Sequence, residues 1–256
     1  LTLSGSILEI EGVQDLSGIV PDNTSTLRLA ADSTINDSAA LSVGTLALEN
    51  FSLTLDDAMA GLSVSQGVTL DATTEKINSG AADLTLNGGI TVSAGTLSSS
   101  GGILTASSLS AGDTGIINIE GGTLTLPAGA TAVSGATFTT SGTTIELGGS
   151  LAVADSWSST NTNILLTTEN ASLSSTVPLS LASLQTNGFD FTLGSETSDL
   201  TLASAFTLGS GTLSTQGADL IFESMVDISV GSTLDASGGG KLEFQQGGTD
   251  NGTINA

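Results

Sequence analysis

Leucine, isoleucine, valine and phenylalanine recur in this chain at every second position in short bursts, with threonine and serine between them. Leu27–Leu29, Leu46–Leu48, Phe51–Leu55, Leu84–Leu86, Ile90–Val92, Leu124–Leu126, Ile145–Leu147, Leu151–Val153, Leu200–Leu202, Phe206–Leu208 and Leu242–Phe244 all read this way. A period of two puts alternate side chains on opposite sides of a strand, so each burst predicts a strand with one buried side. Threonine suits the other side, because branching at Cβ fits extended backbone. No window offers a sustained helical period with caps. The nearest, DATTEKINSGAA (71–82), is short and broken by Gly80.

A second regularity lies over the first. An apolar residue, a polar turn and another apolar residue seven positions on recur as LDATTEKI (70–77), LSSSGGIL (97–104), FTTSGTTI (138–145), WSSTNTNI (157–164), LQTNGFDF (184–191) and LSTQGADL (213–220). LDASGGGKL (234–242) carries one residue more. The fifth position is Gly101, Gly142, Gly188 or Gly217 in four of them, and Asn161 in WSSTNTNI. Both residue types accept the left-handed backbone that a sharp corner needs. The anchors lie about 19 to 29 residues apart, with one gap of about 41 that predicts a degenerate corner near Leu109–Ile116.

A unit of about 20 residues with two or three short strands cannot bury its own apolar side, but a stack of such units can. The expectation is therefore an all-β, right-handed parallel β-helix, a β-solenoid with coils of roughly 20 residues. At ~4.8 Å per coil, about 11–13 coils would form an elongated rod of about 50–60 Å. The competing architecture is a sandwich of antiparallel hairpins. Against it, hairpin dipeptides are few: Asn-Gly begins at 87, 187 and 251, and Asp-Gly is absent. The phenylalanines and the lone Trp157 fall at or beside apolar strand positions, as stacked core aromatics would. With no tyrosine they make no platform for stacking bases or sugars.

Charge narrows the partners. Among 256 residues there are 26 acidic and three basic ones (Arg28, Lys76, Lys241), no histidine and no cysteine, for a net charge of −23. Nucleic acid and anionic membrane surfaces are excluded as default partners, since both are held by Lys and Arg. Cations are the natural counter-charge, with Ca²⁺ the foremost candidate for a cofactor although none is required. No stretch approaches the ~18 apolar residues of a membrane span, so direct membrane insertion is not expected. The sequence begins and ends mid-pattern, with residues 1–26 less regular. The expectation is a single solenoid segment over 1–256 belonging to a longer chain or filament.

Little here can act as acid, base or nucleophile. Serine and threonine need a base beside them, and histidine is absent. Paired carboxylates are available at Asp56-Asp57, at Asp190 with Asp219, and at Glu223 with Asp227. Asp190 and Asp219 occupy the same place in their corners, which predicts that they stack on one edge. Stacked like charges recruit a cation more readily than they form an acid–base pair. The two are thus candidate metal ligands and not catalytic residues. No EF-hand pattern or Gly-Gly-x-Gly-x-Asp repeat supports a specific calcium loop. Thr85, Thr125 and Thr201 each stand between two inward leucines, the beginning of a threonine ladder of the kind an ice-binding face would need. Their equivalents Glu146, Leu165, Ile221 and Glu243 interrupt it.

At GGTLTLPAGATAVSGATFTTSGTTIELGGSLAV (121–153) the chain resembles the β-strand repeats of bacterial autotransporter passenger domains and of large filamentous-haemagglutinin-like adhesins. GGITVSAGTLSSSGGIL (88–104) and FTLGSGTLSTQGADLIF (206–222) resemble the same repeats, although repeated Asn-Thr-Tyr turns are missing. The resemblance implies a right-handed parallel β-helix that is exported and displayed, and it carries over no catalytic residue. The functional expectation is an extracellular or cell-surface structural or adhesive solenoid without catalytic activity, a stalk, fibre subunit or adhesin segment. Its partners would be itself, end to end or within a larger fibre, and cell-surface glycans. The alternative is a cation-dependent carbohydrate-binding or carbohydrate-processing β-helix.

Overall fold

A computed structural model of the chain describes residues 2–112, 114–127, 130–153 and 156–256, with the backbone alone for 130–132. Asp113, inside the expected corner at 109–116, and Ala128 and Gly129, inside the stretch 121–153, lie outside the described residues. The fold is a parallel β-solenoid of about 12 turns with roughly 20 residues per turn. Among the described residues there is no helix, and every strand pair is parallel. The turns fall into two compact units, one of residues 1–125 and 135–138, the other of 126–134 and 139–256.

In the first unit the coils from Ser52 onward have three strand faces. A first face holds Ile7–Gln14, Thr26–Ile35, Ser52–Leu55, Lys76–Asn78, Thr96–Ser99 and Ile116–Glu120 in that order. A second holds Ala40–Val43, Gly61–Val64, Asp83–Leu86, Ile103–Ala106 and Thr123–Leu126. A third holds Val68–Leu70, Ile90–Val92 and Leu109–Ala111. Pairing is in register, so like stacks on like: Leu62, Leu84, Leu104 and Leu124 form one inward column. All four are at most 2% exposed. Burying a leucine contributes about 1.5–3 kcal/mol, and repeating the same pair up the column closes the packing without large voids. At the first coils, Thr2–Leu3 pairs with Val20–Pro21, and Ile7–Gln14 pairs with Thr26–Ile35 through a register shift between Ile10 and Gly12.

The second unit repeats this plan. Leu179–Gln185, like Thr26–Ile35 in the first unit, is a single strand whose two ends pair with different strands. Its last residues Ser183–Gln185 pair with Asn163–Leu165, and its first residues Leu179–Leu181 pair with Leu200–Leu202. Beyond it, Asp199–Leu202, Asp219–Phe222 and Leu242–Phe244 form one face. Phe206–Leu208, Val226–Ile228 and Gly248–Asp250 form the next, and Phe191–Leu193, Thr212–Ser214, Thr233–Asp235 and Thr253–Asn255 the third. The core here is aromatic: Phe206 stacks on Phe222 at 5.5 Å between ring centroids, and Phe222 on Phe244 at 5.2 Å. Trp157 is buried and donates its indole N–H to Thr140 Oγ1 at 2.8 Å, which lies 2.8 Å from Thr162 Oγ1. A buried hydroxyl at a corner thus satisfies the polar atom of the largest core side chain.

The expected corner residues turn the chain as their type suggests. Gly101, Gly142, Asn161, Gly188 and Gly217 have φ of 117°, 65°, 55°, 89° and 104°. The seven motifs are not one stacked corner, however. LSSSGGIL, FTTSGTTI and WSSTNTNI lead from a first-face strand to a second-face one, LQTNGFDF from second to third, and LDATTEKI, LSTQGADL and LDASGGGKL from third to first. Their uneven spacing reflects which corner each one serves, and the gap of about 41 residues holds a further first-to-second corner at 117–124, later than the expected 109–116. Ile117 pairs with Leu97, Leu124 with Leu104, and Gly121 turns the chain with a φ of 69°.

Candidate functional site

The residues singled out as metal candidates are not brought together. Asp190 precedes the third-face strand Phe191–Leu193, while Asp219 opens the strand Asp219–Phe222, where its stacked neighbour is Asp199. One oxygen of each is already committed. Asp190 Oδ1 accepts the N–H of Thr212 at 2.7 Å, and Asp219 Oδ1 accepts that of Lys241 at 2.8 Å. Asp190 Oδ2 also takes a bond from the Asn170 amide at 3.2 Å. Among the described residues no three acidic side chains converge as a metal site would require.

These two bonds belong to a wider device. Asp32 accepts the N–H of Ser52, Asp57 that of Ala81, Asp83 that of Ile103 and Asp227 that of Thr249, at 2.8 to 3.1 Å. In each case the carboxylate and the donor lie 20 to 24 residues apart, one coil from each other. An N–H at or within two residues of a strand's start finds its acceptor in an aspartate one coil below, as a cap serves a helix. Glu75, 6% exposed, does the same with both oxygens, taking the N–H groups of Asn50, Asp71 and Ala72. Sequence reasoning missed this role. Asp83, Asp190 and Asp219 stand at or just before strand heads, but Asp32 and Asp227 lie within strands and Asp57 in a turn. No local pattern therefore marks the role, and donor and acceptor are a whole coil apart along the chain.

Between these acids run uncharged rows. In the first unit Ser42, Ser63, Thr85, Thr105 and Thr125 stack up the middle of the second face without interruption. Thr34, Thr54, Asn78, Ser98 and Asn118 do so on the first face. In the second unit Ser150, Ser172, Thr192 and Ser214 line the third face, and the row then passes to Asp235 and Asn255. Rungs bond to one another within and beside the rows: Ser110 Oγ donates to Thr91 Oγ1 at 3.0 Å, and Ser98 Oγ to Asn78 Oδ1 at 3.3 Å. Thr201 is not part of the Thr85–Thr125 row. It stacks between Ser180 and Ile221 in the second unit, where Ile221 and Glu243 follow it. The interruptions at Glu146, Leu165, Ile221 and Glu243 all lie in that unit.

Among the described residues, the resolved electrostatic perturbations lie at exposed local contacts. Asp22 is held well below the ordinary carboxylate value by hydrogen bonds from the Ser4 and Thr24 side chains. Asp15 and Asp235 are lowered by Ser17 and Ser237 two residues on. Lys241 is raised, and Glu243 lowered, chiefly by the hydrogen bond between them. Arg28 is likewise raised by its ion pair with Glu9. These are the signatures of turns and surface pairs. They do not pair a raised acid with a lowered one, as an acid–base site would. Comparison with known proteins adds nothing to this geometry: no family model, curated protein or solved structure matches the chain.

Proposed function

We propose that the protein is a non-enzymatic scaffold of the extracellular space or cell surface: a stalk, fibre subunit or adhesin segment. The repeats of autotransporter passengers and filamentous-haemagglutinin-like adhesins, which this chain resembles, serve in that way. The observation that carries the reading is the commitment of the acidic side chains. Six aspartates distributed over both units each tie one coil to the next. The rows between them present mainly hydroxyls and amides. Such a surface supports length and solubility, and a charge of −23 keeps strand-rich molecules apart. Under this reading the partners are further solenoid coils and glycans of a neighbouring surface.

Two measurements test it. Negative-stain electron microscopy of the purified protein should show rods or continuous fibres. Limited proteolysis of intact producing cells should release the protein from their exterior. Compact particles, or full protection inside the cell, would overturn the reading.

A further inference from the structure

On the first face of the first unit lies a hollow of about 370 Å³ between the turn at 49–52 and the turn at 73–76. Phe51, half-buried, forms part of its wall, and Asp32, Asn50, Thr73, Thr74 and Lys76 surround it. Its frame is firmly built. Glu49 and Asn50 are consecutive non-glycine residues with positive φ, 53° and 72°, a conformation that persists only where its surroundings impose it. The buried Glu75 carboxylate imposes it by accepting the Asn50 N–H at 3.2 Å and the Asp71 N–H at 2.8 Å. Ser52 closes the frame, its N–H donating to Asp32 Oδ1 at 2.8 Å and its hydroxyl to the Thr74 carbonyl at 3.1 Å.

Around the rim the polar groups are uncommitted. The Asn50 amide, the Thr73 and Thr74 hydroxyls, Asp32 Oδ2 and the Lys76 ammonium have no hydrogen-bond or ionic partner among the described residues. Lys76 differs in this from the other two basic residues, since Arg28 is paired with Glu9 and Lys241 with Glu243. Lys76, unpaired in a chain with 26 acids, thus lines the same hollow as the half-buried Phe51 and Asp32.

We infer that this hollow binds the neutral, non-reducing end of a glycan. A sugar ring presents C–H groups on one side and hydroxyls at its edge. The first suits the Phe51 ring, the second a fixed rim of amide, hydroxyl, ammonium and carboxylate. The charged lining sums to zero, Lys76 against Asp32, and a ligand carboxylate or sulfate would meet both Asp32 and the field of a chain at −23. The volume falls near the lower end of the ~300–1,000 Å³ typical of small-ligand sites, which suits a chain end more than a long polymer. This inference goes beyond the scaffold reading. The coils would stack identically without it, and either can fail while the other stands.

The test uses the full chain on an array of immobilised oligosaccharides ending in neutral hexoses or N-acetylhexosamines, with sialylated and sulfated ends alongside. The strongest binder is then titrated by calorimetry. Asn50→Gly removes the amide but keeps a residue at ease with positive φ, and Lys76→Met removes the ammonium but keeps the apolar stem. The expected result is binding to neutral ends, weakened about tenfold or more in each variant. Melting temperatures should be unchanged, and Thr105→Ala on the second-face row should bind like the parent. Absence of binding to every neutral end at millimolar concentration overturns the assignment. So does a preference for acidic ends, or an affinity unchanged in both variants.

Discussion

Asp190 and Asp219 each stand one coil below the start of a strand, accepting the N–H of Thr212, its first residue, at 2.7 Å and of Lys241, just before it, at 2.8 Å. A carboxylate in that place acts as a cap, so its removal should be felt as the loss of that hydrogen bond, joined at Asp190 by the weaker one from the Asn170 amide. Asp190→Ala should cost about 1 kcal/mol by urea denaturation, while Asp190→Asn, which keeps an acceptor oxygen, should cost less than half of that. The same contrast is expected at Asp219. Because these oxygens are already engaged, a chelator should leave the melting temperature where it is. A drop on chelation would show that a bound cation shares them. Acid acts at a different residue. Asp22 is depressed by its bonds to Ser4 and Thr24, so the stability it contributes is full above the unfolded carboxylate value near 4 and is lost as pH falls through the lower folded value. Protection of the Thr24 and Ser25 amides from hydrogen exchange, taken relative to the intrinsic rate at each pH, should fall below about pH 4 in the parent protein, because the Thr24 N–H and the Ser25 hydroxyl both bond to the Asp22 carboxylate. In Asp22→Ala, which removes the acceptor, that protection should already be low at neutral pH and should not change with acid.

Within an element the decisive contacts are backbone against backbone. Gly88, where the second face gives way to the third, would place a Cβ 2.2 Å from Gly67 N and 2.3 Å from the Gln66 carbonyl carbon one coil below. Gly88→Ala must therefore push two coils apart and should cost about 3 kcal/mol, the upper end for an overpacked site. Gly112→Ala, with its nearest neighbours 3.6 Å away, should change the melting temperature little. The strands themselves were legible because alternation is a local signal: Leu84–Leu86, Ile90–Val92 and Phe206–Leu208 all lie where the period of two puts them. The corners were legible as corners but not by position. A seven-residue step from one apolar residue to the next fits the passage from Leu70 to Ile77 and from Leu97 to Leu104 alike, though they join different faces. The hollow beside Phe51 was hidden for a related reason. Asp32, Asn50 and Lys76 come from three successive coils, and nothing local in the chain announces that the winding sets them side by side.

For the molecule as a whole, charge has to be weighed against surface chemistry. Rows such as Ser42 to Thr125 are uncharged and regular, the kind of surface on which strand-rich proteins adhere to one another. If a net charge of −23 is what keeps copies apart at neutral pH, screening it should be enough to bring them together. At 1 M salt the screening length falls to about 3 Å, and light scattering should rise with protein concentration where at low salt it does not. Lowering the pH toward 4, where carboxylates begin to protonate, should do the same. The two arms separate cause from side effect. Acid taken further, below the unfolded carboxylate value near 4, also weakens the hold of Asp22 and could act by opening the first coils, whereas salt leaves that carboxylate's protonation unchanged. Association driven by salt and reversed on dilution therefore assigns solubility to charge. Scattering that stays flat in salt and rises only in acid would assign it to the hydroxyl surface, with local unfolding as the route to aggregation.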